Sequence, residues 1–447
     1  MSGKTFRGGV HPLRQIHEGK PPTRGAAVRP GPEPDILVYP MSCFIGAPAK
    51  PCVKKGERVL VGQAVGQPQG KVSVPVFSAV SGKVMAVENR PSSNGKTGLA
   101  VVVENDRQYE TVKAQPYGTV DELSPEQILE AIGQAGIVGM GGATFPTHVK
   151  LMPPPGKQAD LVILNGSECE PFLSADHRLM VERPQDVLMG LWAVMKVLGA
   201  DKGIIGVENN KPDAIEALQL ALSQMPVVGA SVQPLKVKYP QGAEKQLILT
   251  ASGRVVPAGG LPVDAGVVVV NVSTAAAIAK VLETGLPPVE RIVTVTGAVV
   301  QPSNLLVRFG TPFAACIEHC QGFAQTPKKV LSGGPMMGIA QYTLDVPVMA
   351  GTSGILVLDE KLARTDEAGP CLRCGRCVSA CPMRLLPLDI CNAAEANDLD
   401  TAARFQAASC IECGSCAYIC PARRHLLQSI RLVKGALAQR ARAAAKK

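Results

Sequence analysis

The sequence predicts a multidomain α/β and α+β protein whose last domain is a small, helical, cysteine-bearing module, and three observations predict it. A chain of 447 residues has room for about three domains. Its pattern changes along the way, from short glycine-punctuated strands to alternating strands and helices, then to helical segments set among cysteines. Eight of its fourteen cysteines fall in two copies of one run, Cys371-x2-Cys374-x2-Cys377-x3-Cys381-Pro382 and Cys410-x2-Cys413-x2-Cys416-x3-Cys420-Pro421.

Residues 1–35 read as a Pro-rich N-terminal arm. Residues 1–34 carry six Lys/Arg against Glu18 and Glu33, and residues 413–447 carry eight Lys/Arg and no acid. The total is +9, so the body between these ends is slightly acidic and the charge sits on the arms. Such arms read as solvated tails, as contacts with an anionic membrane surface, or as contacts with an acidic partner. The C-terminal segment ARRHLLQSIRLVKGALAQRARAAAKK has no aromatic for base stacking, so nucleic acid is not expected. Aromatics are only 4 % of residues, which leaves the cores to Val, Ala, Leu and Ile.

Residues 36–108 hold short valine-rich strands, VKKGERVLVGQAVGQ and VFSAVSGKVMAVE being the clearest. They resemble a barrel-sandwich hybrid of the lipoyl/biotinyl type. Lys83 follows Gly82 in the expected hairpin turn, but no modification sequence surrounds it, and it reads as a solvated lysine. Residues 115–285 alternate strands and helices. ADLVILN (159–165), KGIIGVE (202–208) and GVVVVNV (266–272) are apolar runs of the buried parallel type. Residues 176–198 read as one amphipathic helix, and Pro212 opens another. The result is a three-layer α/β domain, with ligands expected at the strand ends.

Two segments there carry chemistry. GMGGATFPTHVK (139–150) is not a dinucleotide fingerprint, since the third glycine would fall at Thr144. Its adjacent glycines still let backbone amides approach a phosphate or a flat ring, and Lys150 supplies counter-charge. NGSECEP (165–171) follows a strand directly and gathers two carboxylates, an amide and a hydroxyl. On composition alone, each segment also reads as an ordinary polar turn.

The cysteine runs are more specific. Three thiolates spaced by two residues wrap one corner of a cubane, and the fourth, before proline, ligates the other cluster in two-cluster proteins. This assigns Cys371, Cys374, Cys377 and Cys420 to one [4Fe–4S] cluster, and Cys410, Cys413, Cys416 and Cys381 to the second. Zinc knuckles or disulfides do not explain two matching runs. Iron–sulfur ligation implies a reducing compartment. The N-terminus MSGKTFRGGVHP lacks the apolar core of a signal peptide, and no run of about 18 apolar residues reads as a membrane span. Cys316 and Cys320, at i and i+4, read as buried small hydrophobes, as do Cys391, Cys43 and Cys52.

The whole chain resembles the C subunit of the Rnf-type ion-translocating electron transport complex, starting with FRGGVHP (6–12). Its middle domain is similar to the flavin- and NADH-binding subunit of respiratory complex I. That resemblance implies a non-covalent FMN pocket, with Gly139, Gly141, Gly142 and Lys150 around phosphate and ring, and Asn165, Ser167, Glu168 and Cys169 along the isoalloxazine and ribityl. Phe145 and Glu170 match positions that meet NADH, Glu244 of QGAEK (241–245) matches a glutamate of the nucleotide site, and Asn271 and Thr274 of NVST match flavin-phosphate contacts. Compared with complex I, Ser167 stands for an aspartate, Cys169 for a serine, Ala243 for a glycine and Lys245 for a glutamate. Residues 286–358 look like the soluble-ligand-binding (SLBB) β-grasp module of both families, leaving 365–435 for the two-cluster ferredoxin-like domain and 436–447 as a basic tail.

The resemblance leads to the expectation of a peripheral NADH-oxidising subunit on the cytoplasmic face of the bacterial cell membrane. It would pass electrons through FMN and two [4Fe–4S] clusters to partner subunits, including an iron–sulfur subunit, in a reversible complex that translocates ions and has ferredoxin as its other redox partner. No general acid or base is required, because the protein's task is to orient and tune the cofactors. Two other classes compete. A soluble cobalamin reductase of a diol-utilisation microcompartment shares the flavin, β-grasp and two-cluster modules, and propanediol-utilisation gene neighbours would mark it. An electron-transfer scaffold without flavin would purify without bound FMN.

Overall fold

The N-terminal arm is a strap woven through the other parts, not a solvated tail. In the computed structural model, which describes residues 4–363 and 367–444, Lys4 bridges to Leu235, and Val10 and Tyr239 exchange backbone hydrogen bonds of 2.8 and 2.9 Å. Gly9 donates to the Ala380 carbonyl at 2.8 Å, and Phe172 donates to that of Glu18 at 2.7 Å. Arg29–Pro30 then adds a parallel edge strand beside Leu305 and Leu306. The sequence reading missed this because the arm has no hydrophobic periodicity; its backbone groups are paired with distant partners instead.

Residues 36–105 form two antiparallel sheets. One runs in the order Ile36–Pro40, Thr97–Asn105, Gly82–Pro91, Arg58–Val59, the other Lys50–Pro51, Ala64–Gln67, Val76–Phe77. Valines alternate inward, and Tyr39, fully buried, accepts a hydrogen bond from the Ala79 amide at 2.9 Å. Lys83 is exposed as expected, but it lies within the Gly82–Pro91 strand opposite Arg58 and Glu104, not in a turn. Cys52 is exposed, not buried as expected, whereas Cys43 packs against the barrel core and burial pushes its thiol up to about 12. Val138, just before the glycine-rich segment, and Met140 within it pack into this barrel's core. The barrel therefore supports that segment from behind.

A four-stranded parallel sheet in the order Ala230–Leu235, Lys202–Glu208, Leu161–Gly166, Val267–Asn271 forms the middle domain. Both faces are buried, which explains the unbroken apolar runs. Val162, Leu164, Val268 and Val270 meet helices Pro125–Gln134, Pro184–Leu198, Pro212–Gln224 and Val272–Thr284, while Leu161, Ile163, Val267 and Val269 meet helix Glu244–Ser252. The expected single helix over 176–198 is two, Ala175–Glu182 and Pro184–Leu198. Proline cannot donate to the preceding turn, so Pro184 ends one helix and starts the next at its first position. Gly199 (φ 62°) and Gly285 (φ 71°) close their helices in the left-handed conformation.

The next sheet has six strands, ordered Arg29–Pro30, Ser303–Arg308, Glu290–Gly297, Gly354–Leu358, Lys329–Ser332, Ile339–Gln341, with helix Phe313–His319 packed on it. Cys316 and Cys320 are buried in its core, as expected. The last region is helical: Arg376–Ala380, Pro387–Glu395, Leu399–Arg404, Ser415–Tyr418 and Leu426–Ala444. Leu426, Leu427, Ile430 and Val433 bury one stripe of the final helix, and Cys391 is buried in the same core. The expected tail over 436–447 is a continuation of this helix through Ala444; residues 445–447 lie outside the described residues. Among the described residues no helix is long and apolar enough to cross a membrane.

Candidate flavin and iron–sulfur sites

The glycine-rich segment closes on itself through a bond from the Gly139 amide to the Phe145 carbonyl at 2.9 Å. It is fixed from behind by two of the residues expected at the flavin. Thr274 is buried and accepts from the Met140 amide at 2.8 Å. Asn271 caps helix Val272–Thr284 by accepting from Ser273, and a side chain at Gly141 would collide with its amide. Gly142 faces open space. Lys150 stands at the edge, 2.7 Å from the Glu244 carboxylate. Arg291, a buried arginine of the β-grasp region, donates to the Met140 and Ala350 carbonyls and joins that region to the same segment.

The second segment meets the first at the strand ends. Asn165 donates to the Gly242 carbonyl at 2.8 Å and accepts from the Ser167 amide at 3.2 Å; the Gly242 amide donates to the Cys169 sulfur at 3.3 Å. Burial pushes the Cys169 thiol up to about 12, so it stays protonated. The two carboxylates diverge instead of converging. Glu168, held at φ 45°, accepts from the Asp176 and His177 amides at 2.7 and 3.3 Å, at the positive end of helix Ala175–Glu182. Glu170 turns the other way and accepts from the Met336 and Met337 amides at 3.1 and 2.8 Å.

Beneath this loop lies a group of buried charges that sequence reasoning missed. Lys20 of the arm is 3 % exposed and donates to the Glu168 and Leu173 carbonyls at 2.6 and 2.7 Å, with the Glu168 carboxylate 4.0 Å away. Lys211, 1 % exposed, donates to the Ser167 carbonyl at 2.7 Å and pairs with buried Glu208 at 3.3 Å. Burial pushes Lys20 down and Glu168 and Glu208 up, and the neighbouring opposite charges work against each shift. Asp176 accepts from Asn271 at 2.8 Å and Ser273 at 2.5 Å. The only sequence signal for this network would have been charged residues flanking the motifs, which is too common to single them out.

A flavin fits these residues. The Ser167 hydroxyl is buried with no partner, Gly142 leaves room for close approach, and Lys150 offers a half-exposed cation. The cysteines fit cubanes. One cavity is lined by Cys371, Cys374, Cys377 and Cys420, and a second by Cys381, Cys410, Cys413 and Cys416. Among the described residues no group of His, Cys, Asp or Glu is arranged to hold a single metal ion; the thiols ring cavities instead. Gly375 (φ 70°) and Gly414 (φ 76°) hold the left-handed turns within the two cysteine loops. The second cavity adjoins the flavin loop: Val10, Tyr239, Ala380 and Cys413 form one buried group, with Cys169 and Met336 packed against it. The Tyr239 hydroxyl donates to the Cys413 carbonyl at 2.8 Å.

Four family models match in succession: an RnfC barrel-sandwich hybrid domain (4–108), a Nuo51 FMN-binding domain (132–280), an SLBB domain (292–340) and a 4Fe-4S dicluster domain (364–421). The cofactors are accordingly FMN and two [4Fe–4S] clusters. The chain is 50 % identical over 433 residues, 96 % of each chain, to the C subunit of the Na(+)-translocating ferredoxin:NAD(+) oxidoreductase complex of Acetobacterium woodii. It is 46 % identical to the proton-translocating counterpart of Clostridium ljungdahlii, over 86 % of this chain and 83 % of that one. It is 39 % identical to the C subunit of the ion-translocating oxidoreductase complex of Rhodobacter capsulatus, over 98 % and 84 %. An NAD+-reducing [NiFe]-hydrogenase crystallised in the H2-reduced state shares the fold, with a TM-score of 0.50 at 19 % identity over 73 % of this chain and 69 % of that one. On its near end-to-end identity with these subunits, the chain belongs to the C-subunit family of the Rnf-type ion-translocating oxidoreductase complexes.

Proposed function

We propose that this chain is the peripheral NADH-oxidising subunit of a membrane-bound Rnf complex, placed on the cytoplasmic face of the bacterial cell membrane. Electrons would enter from NADH, pass FMN and both clusters, and leave to partner subunits, an iron–sulfur subunit among them, in a complex that couples the transfer to ion translocation. The observation that carries this reading is the shared wall between the flavin loop and the second cysteine cavity, formed by Cys169, Tyr239, Met336 and Cys413. It suits an order in which the Cys410, Cys413, Cys416 and Cys381 cluster receives electrons first, and the more exposed Cys371, Cys374, Cys377 and Cys420 cluster second.

FMN, when bound, supplies a centre that takes two electrons as hydride and releases them singly. The chain's own residues bind and orient. We assign the amides of Gly139, Gly141 and Gly142 and the Lys150 ammonium to the phosphate and ring, with Asn271 and Thr274 holding that segment in place. Asn165, Ser167, Glu168 and Cys169 are assigned to the isoalloxazine and ribityl side: Asn165 and Ser167 through their polar groups, Glu168 through the loop shape that its carboxylate fixes. Phe145, Glu170 and Glu244 are assigned to the NADH side, where Glu244 restrains Lys150 and Glu170 clasps the 334–337 loop. Tyr239, donating to the Cys413 carbonyl, ties the segment beside the flavin loop to the second cysteine loop.

The test is flavin removal from anaerobically purified chain. NADH should bleach cluster absorbance only after FMN is returned. Cluster reduction by NADH without flavin, or none with it, overturns the reading.

A further inference from the structure

Arg291 occupies a position where the strand pattern asks for an apolar residue. It lies on strand Glu290–Gly297, and the residues two and four places on, Val293 and Val295, sit in the β-grasp core. The side chain is 4 % exposed and makes no ion pair among the described residues. Arginine is almost never fully buried without such a partner. Its Nη2 is buried with no hydrogen-bond partner. Burial pushes the guanidinium down to about 10, and Asp176 and Glu168 act at longer range against that shift, so the group is a cation at neutral pH.

What this cation holds is the glycine-rich segment. Nε donates to the Ile292 carbonyl at 3.1 Å, and Nη1 donates to the Met140 carbonyl at 2.8 Å and to the Ala350 carbonyl. The Met140 amide is fixed on its other side by the Thr274 hydroxyl at 2.8 Å. In a trans peptide the carbonyl and the following N–H point in opposite directions. Holding the Met140 carbonyl therefore turns the Gly141 N–H away from Arg291. The amides of Gly141 and Gly142, both exposed residues, have no acceptor among the described residues. A cation on the carbonyl also polarises that peptide and strengthens its N–H as a donor. The charges nearby work differently. Lys150 is already paired with Glu244 at 2.7 Å. Asp176 accepts from Asn271 at 2.8 Å and from Ser273 at 2.5 Å, at the start of the helix behind Gly141. Its negative charge opposes a phosphate at this end, and Arg291 is the cation that offsets it.

We propose that Arg291 is a positioning residue for the flavin phosphate: it aims the Gly141 amide through the Met140 carbonyl, supplies buried positive charge at that end of the site, and so selects FMN over riboflavin. This rests on the placement of the flavin given above. The β-grasp region thereby takes part in flavin recognition, although its arginine is buried behind the segment that would meet the phosphate. Arginine suits the position because its planar fork braces two carbonyls at once and keeps its proton when buried.

The test uses the full chain with its clusters in place and its flavin removed, titrated with FMN and with riboflavin and followed by flavin fluorescence. The unaltered chain should prefer FMN. Arg291→Gln keeps a donor for the Met140 carbonyl and drops the charge; it should bind riboflavin as the parent does and lose preference for FMN on the order of 10-fold or more. Arg291→Lys should keep the preference at pH 7. A buried lysine titrates below its ordinary value, whereas a phosphate monoester has its second pKa at about 6. The preference of Arg291→Lys should therefore fall between pH 7 and pH 9 while that of the parent holds, and this series decides the question if Arg291→Gln does not fold. Weakening of both flavins by the same factor in Arg291→Gln, or a preference in Arg291→Lys that is flat with pH, overturns the proposal and leaves Arg291 a structural brace. Lys150→Ala separates this proposal from the flavin placement. If it loses FMN while Arg291→Gln binds FMN as the parent does, the proposal alone fails; if both bind FMN as the parent does, the placement fails with it.

Discussion

Lys20→Met removes one buried charge from beneath the flavin loop while keeping the side chain's length. The ammonium donates to the Glu168 and Leu173 carbonyls at 2.6 and 2.7 Å and faces a Glu168 carboxylate whose side chain is 6 % exposed. Its loss leaves two carbonyls without their donor and a buried carboxylate without its nearest cation. Breaking one side of a buried pair costs about 3–5 kcal/mol, and in a domain of this size each kcal/mol lowers the melting temperature by about 2–4 °C. The expected drop is therefore on the order of 6–20 °C in thermal unfolding followed by flavin release. Lys150→Ala is the contrast. Its pair with Glu244 is equally short, at 2.7 Å, but the side chains are 33 % and 39 % exposed, so its stabilisation is about 0–1 kcal/mol. Compared as flavin-free protein by circular dichroism, that variant should melt with the parent, while its flavin occupancy after reconstitution should fall. A Lys20→Met protein melting within about 2 °C of the parent would refute the reasoning, because it would show that the arm lysine carries no net stabilisation.

Three further outcomes are expected from particular contacts. Cys381→Ala should disturb the cluster of the second run, since Cys381 shares a cavity with Cys410, Cys413 and Cys416; spectroscopy showing only the first-run cluster altered would refute the crossed ligand sets. Glu170 is raised by burial to about 7, against the pull of two amide bonds, from an ordinary 4.5. Between those values the folded chain holds a proton that the unfolded chain has lost, so its contribution to stability falls as pH rises from about 4.5 to about 7. Glu170→Gln should remove that slope and gain on the parent toward pH 8, and melting curves with parallel pH dependence would sink the assignment. Truncation after Gly435 removes the exposed Arg440–Asp400 pair but none of the buried stripe at Leu426, Leu427, Ile430 and Val433, so the fold should persist. Unchanged membrane association and salt-wash sensitivity would then leave protein–protein contacts as the anchor.

Local chemistry was legible in the sequence, and long-range closure was not. The cysteines proposed as cluster ligands are spaced by two and three residues, so the pattern is written in a dozen positions, and each proposed set lines one cavity. The parallel strands were legible for a similar reason: burial on both faces leaves an unbroken valine run such as Val267–Val270. Lys20 was not legible, because it meets Glu168 across 148 positions and lies in a stretch without periodicity. The divergence of Glu168 and Glu170 was equally hidden, since it depends on a left-handed residue and on amides from Met336 and Met337 in another domain. Pro184 did carry a local signal for its helix break, and the apolar stripe on either side of it masked that signal.

The central claim is that electrons from NADH cross from the flavin loop into the cluster held by Cys410, Cys413, Cys416 and Cys381 before reaching the one held by Cys371, Cys374, Cys377 and Cys420. Rapid mixing with NADH, freeze-quenching and electron paramagnetic resonance test it most directly, with Cys374→Ser and Cys413→Ser variants used to assign the two signals. The second-run cluster should be reduced first, and Cys413→Ser should block reduction of the other. Prompt reduction of the first-run cluster in Cys413→Ser protein would contradict the path through the Tyr239–Cys413 wall.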